Sequence, residues 1–208
     1  GRPSPAPLGP AGLREPARVV AASSRSVYGP ATADTRLSES FTLAPGDGYG
    51  ASKLAAEHLL RDSDHRGIRV RLTTLFGHAP QGACPSLPNL AVQSFCAGKA
   101  VHLVQHDVEV DYLAVADAAH VLVEIALQPL VTAPVINLAG RPRSLHALIQ
   151  ALAQVYAETS GSVPCVAYDF AAGQVWPCLD TRLLARLLPG LELSSDRQAA
   201  LGLVRPGS

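Results

Sequence analysis

The sequence predicts an α/β fold, and three observations carry the prediction. Short apolar runs, RVVAASS (18–24), IRVRLTTLFG (68–77) and VINLA (135–139), read as strands buried in a parallel sheet. Helix-patterned segments separate those runs, as crossover connections require. The first run also ends in small hydroxyl residues, at the kind of strand end where α/β proteins place their chemistry.

Taken in order, residues 1–16 are rich in Pro, Gly and Ala without periodicity and read as an irregular tail. The strand 18–24 follows, then a long loop punctuated by Pro30 and Pro45. From Tyr49 the pattern turns helical, with Leu54, Ala55, His58 and Leu59 on one stripe and a stop expected at Gly67. Beyond the strand 68–77, HAPQGACPSLP is a Pro- and Gly-rich connection. A helix over 89–97, short strands in VHLV and VEVDYL, a helix over 115–127 and the strand 135–139 come next. The helix 144–158 carries a core stripe of Leu145, Leu148, Ile149 and Leu152; a strand near CVAYDF and a helix over 180–188 complete the pattern. Phe170 and Trp176 are expected to pack the later part of the chain, and no internal repeat is found.

Composition narrows the partners. Seventeen basic residues balance seventeen acidic ones, which leaves no electrostatic footprint for nucleic acid or an anionic membrane. No run reaches the apolar length of a membrane span and no signal-peptide core is present, so the expected partner is a small molecule and the expected location cytoplasmic. Cys84, Cys96, Cys165 and Cys178 form no CxxC and read as buried thiols in a reducing compartment. His102, His106 and His120 match no metal spacing, so no metal is expected. Asp107, Glu109, Asp111 and Asp117 read as loop and helix-start carboxylates.

The stretch GDGYGASK (46–53) has two readings. Gly46, Gly48 and Ala51 fit GxGxxA, a turn that lets backbone approach a pyrophosphate. That turn needs a strand before it and a carboxylate about twenty residues later. Pro45 precedes Gly46 and the later positions hold Gly67, Ile68 and Arg69, so the cradle fails. Tyr49 and Lys53 fit YxxxK, which sets a phenol and an ammonium on one helix face. With Ser24 at the end of the first strand they make a Ser–Tyr–Lys set suited to hydride chemistry at a carbinol.

With SSRSVYG (23–29), Glu39 in LSES, YGASKLAAE (49–57), RLTTLFG (71–77), VDYLAVADAA (110–119) and VINLAG (135–140) in this order, the chain resembles the extended short-chain dehydrogenase/reductase family, the NAD(P)-dependent nucleotide-sugar epimerases and dehydratases. The resemblance runs from Arg18 to Leu203. It implies Ser24, Tyr49 and Lys53 as catalytic residues; Tyr49, Lys53, Ala22 and Thr73 at the cofactor, NAD or NADP; and Ser24, Thr74 and Arg71 at a sugar-nucleotide substrate. It further implies a partial Rossmann-like sheet over 17–80, a smaller α+β substrate domain over 81–208 from which some segments return to the sheet, and a homodimer as a candidate assembly.

Departures from the family sharpen the expectation. The family opens with strand, GxxGxxG and helix, and nothing before Arg18 supplies them; with no methionine and a start at Gly1, the chain reads as a fragment. Alone it is expected to be inactive, and the alternative function is a silent remnant or a module that needs a separate nucleotide-binding chain. Thr74 stands where many relatives carry asparagine, and Val110 where many carry a phosphate-binding arginine, a task for which Arg71, Arg141 and Arg143 are the candidate replacements.

Overall fold

The computed structural model describes residues 18–63, 66–78, 85–104, 107–169 and 177–204. Its central sheet holds β1 (Arg18–Ser24), β3 (Arg66–Leu72) and β8 (Val135–Leu138) in the order β1-β3-β8, all parallel. Ser24 lies opposite Leu72, and Leu72 opposite Leu138, so the three strand ends are flush. Among the described residues β1 pairs on one side only, and Ala22 near its end is exposed.

Residues on β3 alternate faces, as a strand's period of two requires. Ile68 and Val70 pack on α3 (Val115–Leu127) through Ala118, Val121 and Ile125, together with Ile136 and Leu138 of β8. Full burial of each such aliphatic side chain stabilises by about 1.5–3 kcal/mol. Arg69 and Arg71 occupy the other face and are buried too. That face is covered by α1 (Gly48–Arg61), whose buried residues are Gly50 and Glu57. The apolar stripe expected on α1 is therefore corrected in part: Leu54 packs against the cluster of Val27, Tyr28 and Leu37, while Ala55, His58 and Leu59 face outward, because the strand beneath presents guanidinium groups that a carboxylate satisfies and a leucine cannot. The helix ends at Arg61, capped by Asp62, and Gly67 belongs to β3. β3 stops at Leu72, and β4 (Leu75–Phe76) forms a separate parallel pair with β7 (Leu113–Ala114).

A second core gathers α2 (Leu87–Cys96), β5 (Val101–Val104) with its parallel partner β10 (Val166–Asp169), and α4 (Leu145–Ser160). Leu145, Leu148, Ile149 and Leu152 are buried as the stripe predicts. Ser144 caps α4 by accepting from the Ala147 N–H at 3.0 Å, and Gly161 ends it in the left-handed region at φ 71°. An unexpected helix, α6 (Asp196–Val204), packs on α4 through Ala200. Two-residue pairs complete the frame: β2 (Arg36–Leu37) runs parallel to β11 (Cys178–Leu179), and β6 (Glu109–Val110) antiparallel to β9 (Arg143–Ser144). The last helical stretch is α5 (Arg182–Leu187), which packs on β8.

The cysteine expectation is corrected as well. Cys178 is buried, and that burial pushes its thiol up to about 11; Cys96 and Cys165 are exposed, since both lie at element ends outside the cores. Cys84, His106, Phe170 and Trp176 lie outside the described residues. Among the described residues no His/Cys/Asp/Glu group could hold a metal, and no helix is long and apolar enough to cross a membrane.

Candidate active site

Where β1 ends, Ser24 caps a short 3-10 turn, Arg25–Val27: its Oγ accepts from the Ser26 N–H at 3.1 Å. The following loop returns at Asp47, whose carboxylate caps α1 by accepting from the Gly50 N–H at 2.6 Å. This cap fixes Tyr49 in the first turn, half-exposed, and Lys53 one turn later on the same face. Lys53 Nζ donates to the Ala22 carbonyl at 3.2 Å and sits 5.8 Å from the centre of the Tyr49 ring. Thus Ala22, Ser24, Tyr49 and Lys53 gather at one strand end.

Gly50 permits that approach. A Cβ there would overlap the Ser26 carbonyl oxygen, so the helix start and the turn after Ser24 touch backbone to backbone. By contrast, side chains at Gly46 and Gly48 would meet nothing within 4 Å. No strand leads directly into Gly46: β2 ends nine residues earlier, at Leu37.

One turn below Lys53, Glu57 ties the helix to both strands. It accepts from the Ser23 hydroxyl at 2.6 Å and from Arg71 at 2.9 Å (Nε) and 2.7 Å (Nη2). Burial pushes its carboxyl up, but the hydrogen bonds from Arg71 and Ser23 and the Arg71 charge outweigh that and hold it below the ordinary range. Arg71 also donates to the Glu39 carbonyl at 3.1 Å and lies 4.8 Å from the centre of the Tyr28 ring. Its donors serve the fold. Arg71, expected at the substrate, is 2% exposed and lines neither of the two clefts described below.

Behind this pair, Tyr28 donates to Asn137 Oδ1 at 2.6 Å, and Asn137 Nδ2 donates to the Leu37 carbonyl at 2.7 Å. Glu39 accepts from the Asn137 N–H at 2.9 Å. Burial raises the Tyr28 phenol above its ordinary value, with Arg71 opposing. A second buried carboxylate, Asp111, accepts from the Thr73 hydroxyl at 2.6 Å, the Leu179 N–H at 2.8 Å and Arg25 at 3.3 Å. It is more than a loop carboxylate, because it joins β11, the turn after β1 and the residue that follows β3.

A cleft of about 590 Å³ opens beside these residues, walled by Arg25, Ser26, Tyr28, Asp47, Thr74 and Pro177. Thr74 is on the wall, whereas Thr73 is turned inward to Asp111. Arg141 and Arg143 line a different cleft of about 460 Å³, and Arg143 is held there by Asp196 at 2.8 Å. Sequence reasoning missed Arg25 and Gly50. The first stands next to Ser24 in the chain, and the second lies inside YGASK, so both were in view without a sign of their neighbours.

Residues 10–139, more than half of the chain, match the NAD dependent epimerase/dehydratase family. The chain belongs to this family. No curated protein matches it. Among solved structures, this epimerase/dehydratase-family chain is similar to MoeE5 in complex with UDP-glucose and NAD (26% identity, TM-score 0.66, covering 90% of this chain and 64% of that one). It shares its fold with RMD from Pseudomonas aeruginosa complexed with NADPH (21%, TM-score 0.70, 90% and 65%). It also shares it with UDP-glucuronic acid 4-epimerase from Bacillus cereus in complex with NAD (18%, TM-score 0.68, 90% and 60%). The chain therefore spans between 60% and 65% of these relatives' length.

Proposed function

We propose that this chain carries the catalytic and substrate-side part of an NAD(P)-dependent epimerase, dehydratase or reductase acting on a carbinol of a nucleotide sugar. The observation that carries the reading is the placement of Lys53, which bonds the Ala22 carbonyl beside the Tyr49 ring while Gly50 presses the helix start onto the turn after Ser24. In this reading residues 17–80 supply the catalytic part and 81–208 mainly the substrate side.

Each residue then has a task. The Tyr49 phenol exchanges a proton with the substrate hydroxyl, Ser24 Oγ orients that oxygen, and the Lys53 ammonium favours the phenolate. Tyr49 and Lys53 suit the nicotinamide side of a dinucleotide, since they stand at the C-terminal end of parallel strands beside the exposed Ala22. When bound, NAD(P) supplies hydride exchange at the carbinol carbon. Nucleotide sugars are the expected substrate class, because MoeE5 was solved with UDP-glucose and relatives of this fold with UDP-glucuronic acid.

A second reading, a module working with a separate nucleotide-binding chain, is favoured by the one-sided pairing of β1. Steady-state turnover of UDP-sugars with NAD or NADP, measured on the chain alone and joined in one polypeptide to the nucleotide-binding half of a relative, tests the main reading. Tyr49→Phe should lower turnover by ~100-fold or more, since acid–base catalysis contributes about 10²–10⁴-fold. Lys53→Met should weaken cofactor binding in addition. Near-normal turnover in Tyr49→Phe would sink the assignment, and turnover that appears only with an added polypeptide would favour the second reading.

A further inference from the structure

Helix α3 is apolar on more than its inner side. Its sequence, VADAAHVLVEIAL, holds no lysine or arginine, and Ala118, Val121 and Ile125 already pack in the sheet's core. On the outer side Ala116, Val123 and Leu127 follow one line at spacings of seven and four residues, about 16 Å along the axis. Val123 is 54% exposed and Leu127 72%, and Leu130, just past the helix end, is 85% exposed. A helix apolar all round is normally covered all round. Beside this ridge lies a third cleft, of about 640 Å³, between α3 and residues 187–192 at the end of α5. Leu187, Leu188 and Leu191 give it an apolar lining. Its charged lining is acidic: Glu124 and Glu192 stand there with His120 and without lysine or arginine. Neither carboxylate has an ion pair or a side-chain hydrogen bond among the described residues. In a chain whose formal charges balance, that acidity is local.

We infer that this face docks a basic amphipathic helix of a partner protein, with its apolar side chains on the ridge and its lysines or arginines toward Glu124 and Glu192. The unpaired carboxylates set the sign of the partner's charge. No strand edge lines the cleft, so an extended segment would find no main-chain partners there, whereas a helix satisfies its own backbone. Rows of side chains four apart also interlock between helices. A small amine would meet the carboxylates and leave the ridge bare. The face is remote from the proposed chemistry: Val131, on the cleft, accepts from Arg18 at the start of β1 at 2.6 Å, and Ser24 ends that strand. At about 3.3 Å per residue the two ends of β1 are about 20 Å apart. The inference therefore stands independently of the proposed function.

Two fluorescein-labelled amphipathic peptides of about fourteen residues, long enough to cover the ridge, decide the matter by anisotropy against the full chain. One is built from leucine and lysine; the other carries glutamate in place of every lysine. The leucine–lysine peptide should bind in the micromolar range and its acidic counterpart about tenfold or more weakly, with the gap narrowing as salt rises. Glu124→Gln with Glu192→Gln should bring the ratio close to one. Leu127→Asp with Leu130→Asp should abolish binding, and both side chains are exposed enough for the fold to survive, as thermal melts would verify. If the leucine variant does not fold, the glutamate variant decides. Absence of binding by the basic peptide, equal binding of the two peptides, or a ratio unchanged in the glutamate variant each overturns the inference. So does binding that persists in the folded leucine variant. Sedimentation velocity covers the remaining occupant: self-association of the parent chain that is lost in the leucine variant assigns the ridge to a second copy and overturns the inference as well. None of these outcomes bears on turnover, so the proposed function is tested separately.

Discussion

Glu57 and Arg71 form a two-point ion pair, 2.9 Å from Nε to Oε1 and 2.7 Å from Nη2 to Oε2, with both side chains less than 5% exposed. The pair joins α1, which carries Tyr49 and Lys53, to β3 at the centre of the sheet. Removing one partner strands the other charge in the interior. Glu57→Gln or Arg71→Met should therefore cost ~3 kcal/mol or more, measured by urea denaturation, whereas Glu57→Leu with Arg71→Met should cost much less. Equal losses in the single and double variants would mean that packing, and not charge, is what the pair supplies.

The same pair sets an acid limit. Glu57 is held below its ordinary value when folded, so the unfolded chain binds the proton more readily, and the contribution is present above the unfolded value of about pH 4.3. It disappears as pH falls through the lower folded value. The stability gap between the parent chain and Glu57→Gln should be widest near neutral pH and close progressively below about pH 4, followed by denaturant midpoints at stepped pH. A gap independent of pH would contradict this assignment.

Gly50 and Gly48 should respond in opposite ways to the same substitution. In Gly50→Ala the new methyl group meets the Ser26 carbonyl, so α1 must shift from the turn after Ser24 at a cost of about 1–3 kcal/mol. Turnover should fall further than stability alone explains, since the shift separates Tyr49 from Ser24. Gly48→Ala meets open space and removes a poor helix former, so it should be neutral or slightly stabilising. Thermal melts and turnover of both variants, side by side, check the contrast.

Much of this architecture was legible in the sequence, for identifiable reasons. The helix α3 runs over residues 115–127 as expected, and the stripe from Leu145 to Leu152 is buried, because apolar periodicity is a local signal. Beyond Leu54 the α1 stripe failed because the inner face of the helix is chosen by β3, whose arginines demand Glu57 and not Leu59. Arg71 looked available for substrate because its partner stands fourteen residues earlier, on another element. Asp111 shows the same limit, with donors 38 and 68 residues away that only the folded chain brings together. α6 escaped notice because ASP–ARG–GLN opens it and its apolar residues acquire a face only against α4.

The polar inner face of α1 also bears on motion. Whereas α4 buries five apolar side chains, α1 fully buries only Gly50 and Glu57 and adds the partly buried Leu54, so what holds it is mainly a few directed bonds and a modest apolar area. Such an element can open without disrupting either core. In native-state hydrogen exchange the α1 amides should lose protection well before those of α4, and sooner still in acid, where Glu57 takes up a proton. The two residues proposed to do the chemistry would then ride on one of the more readily released parts of the molecule, able to part from Ser24 while the sheet beneath stays intact.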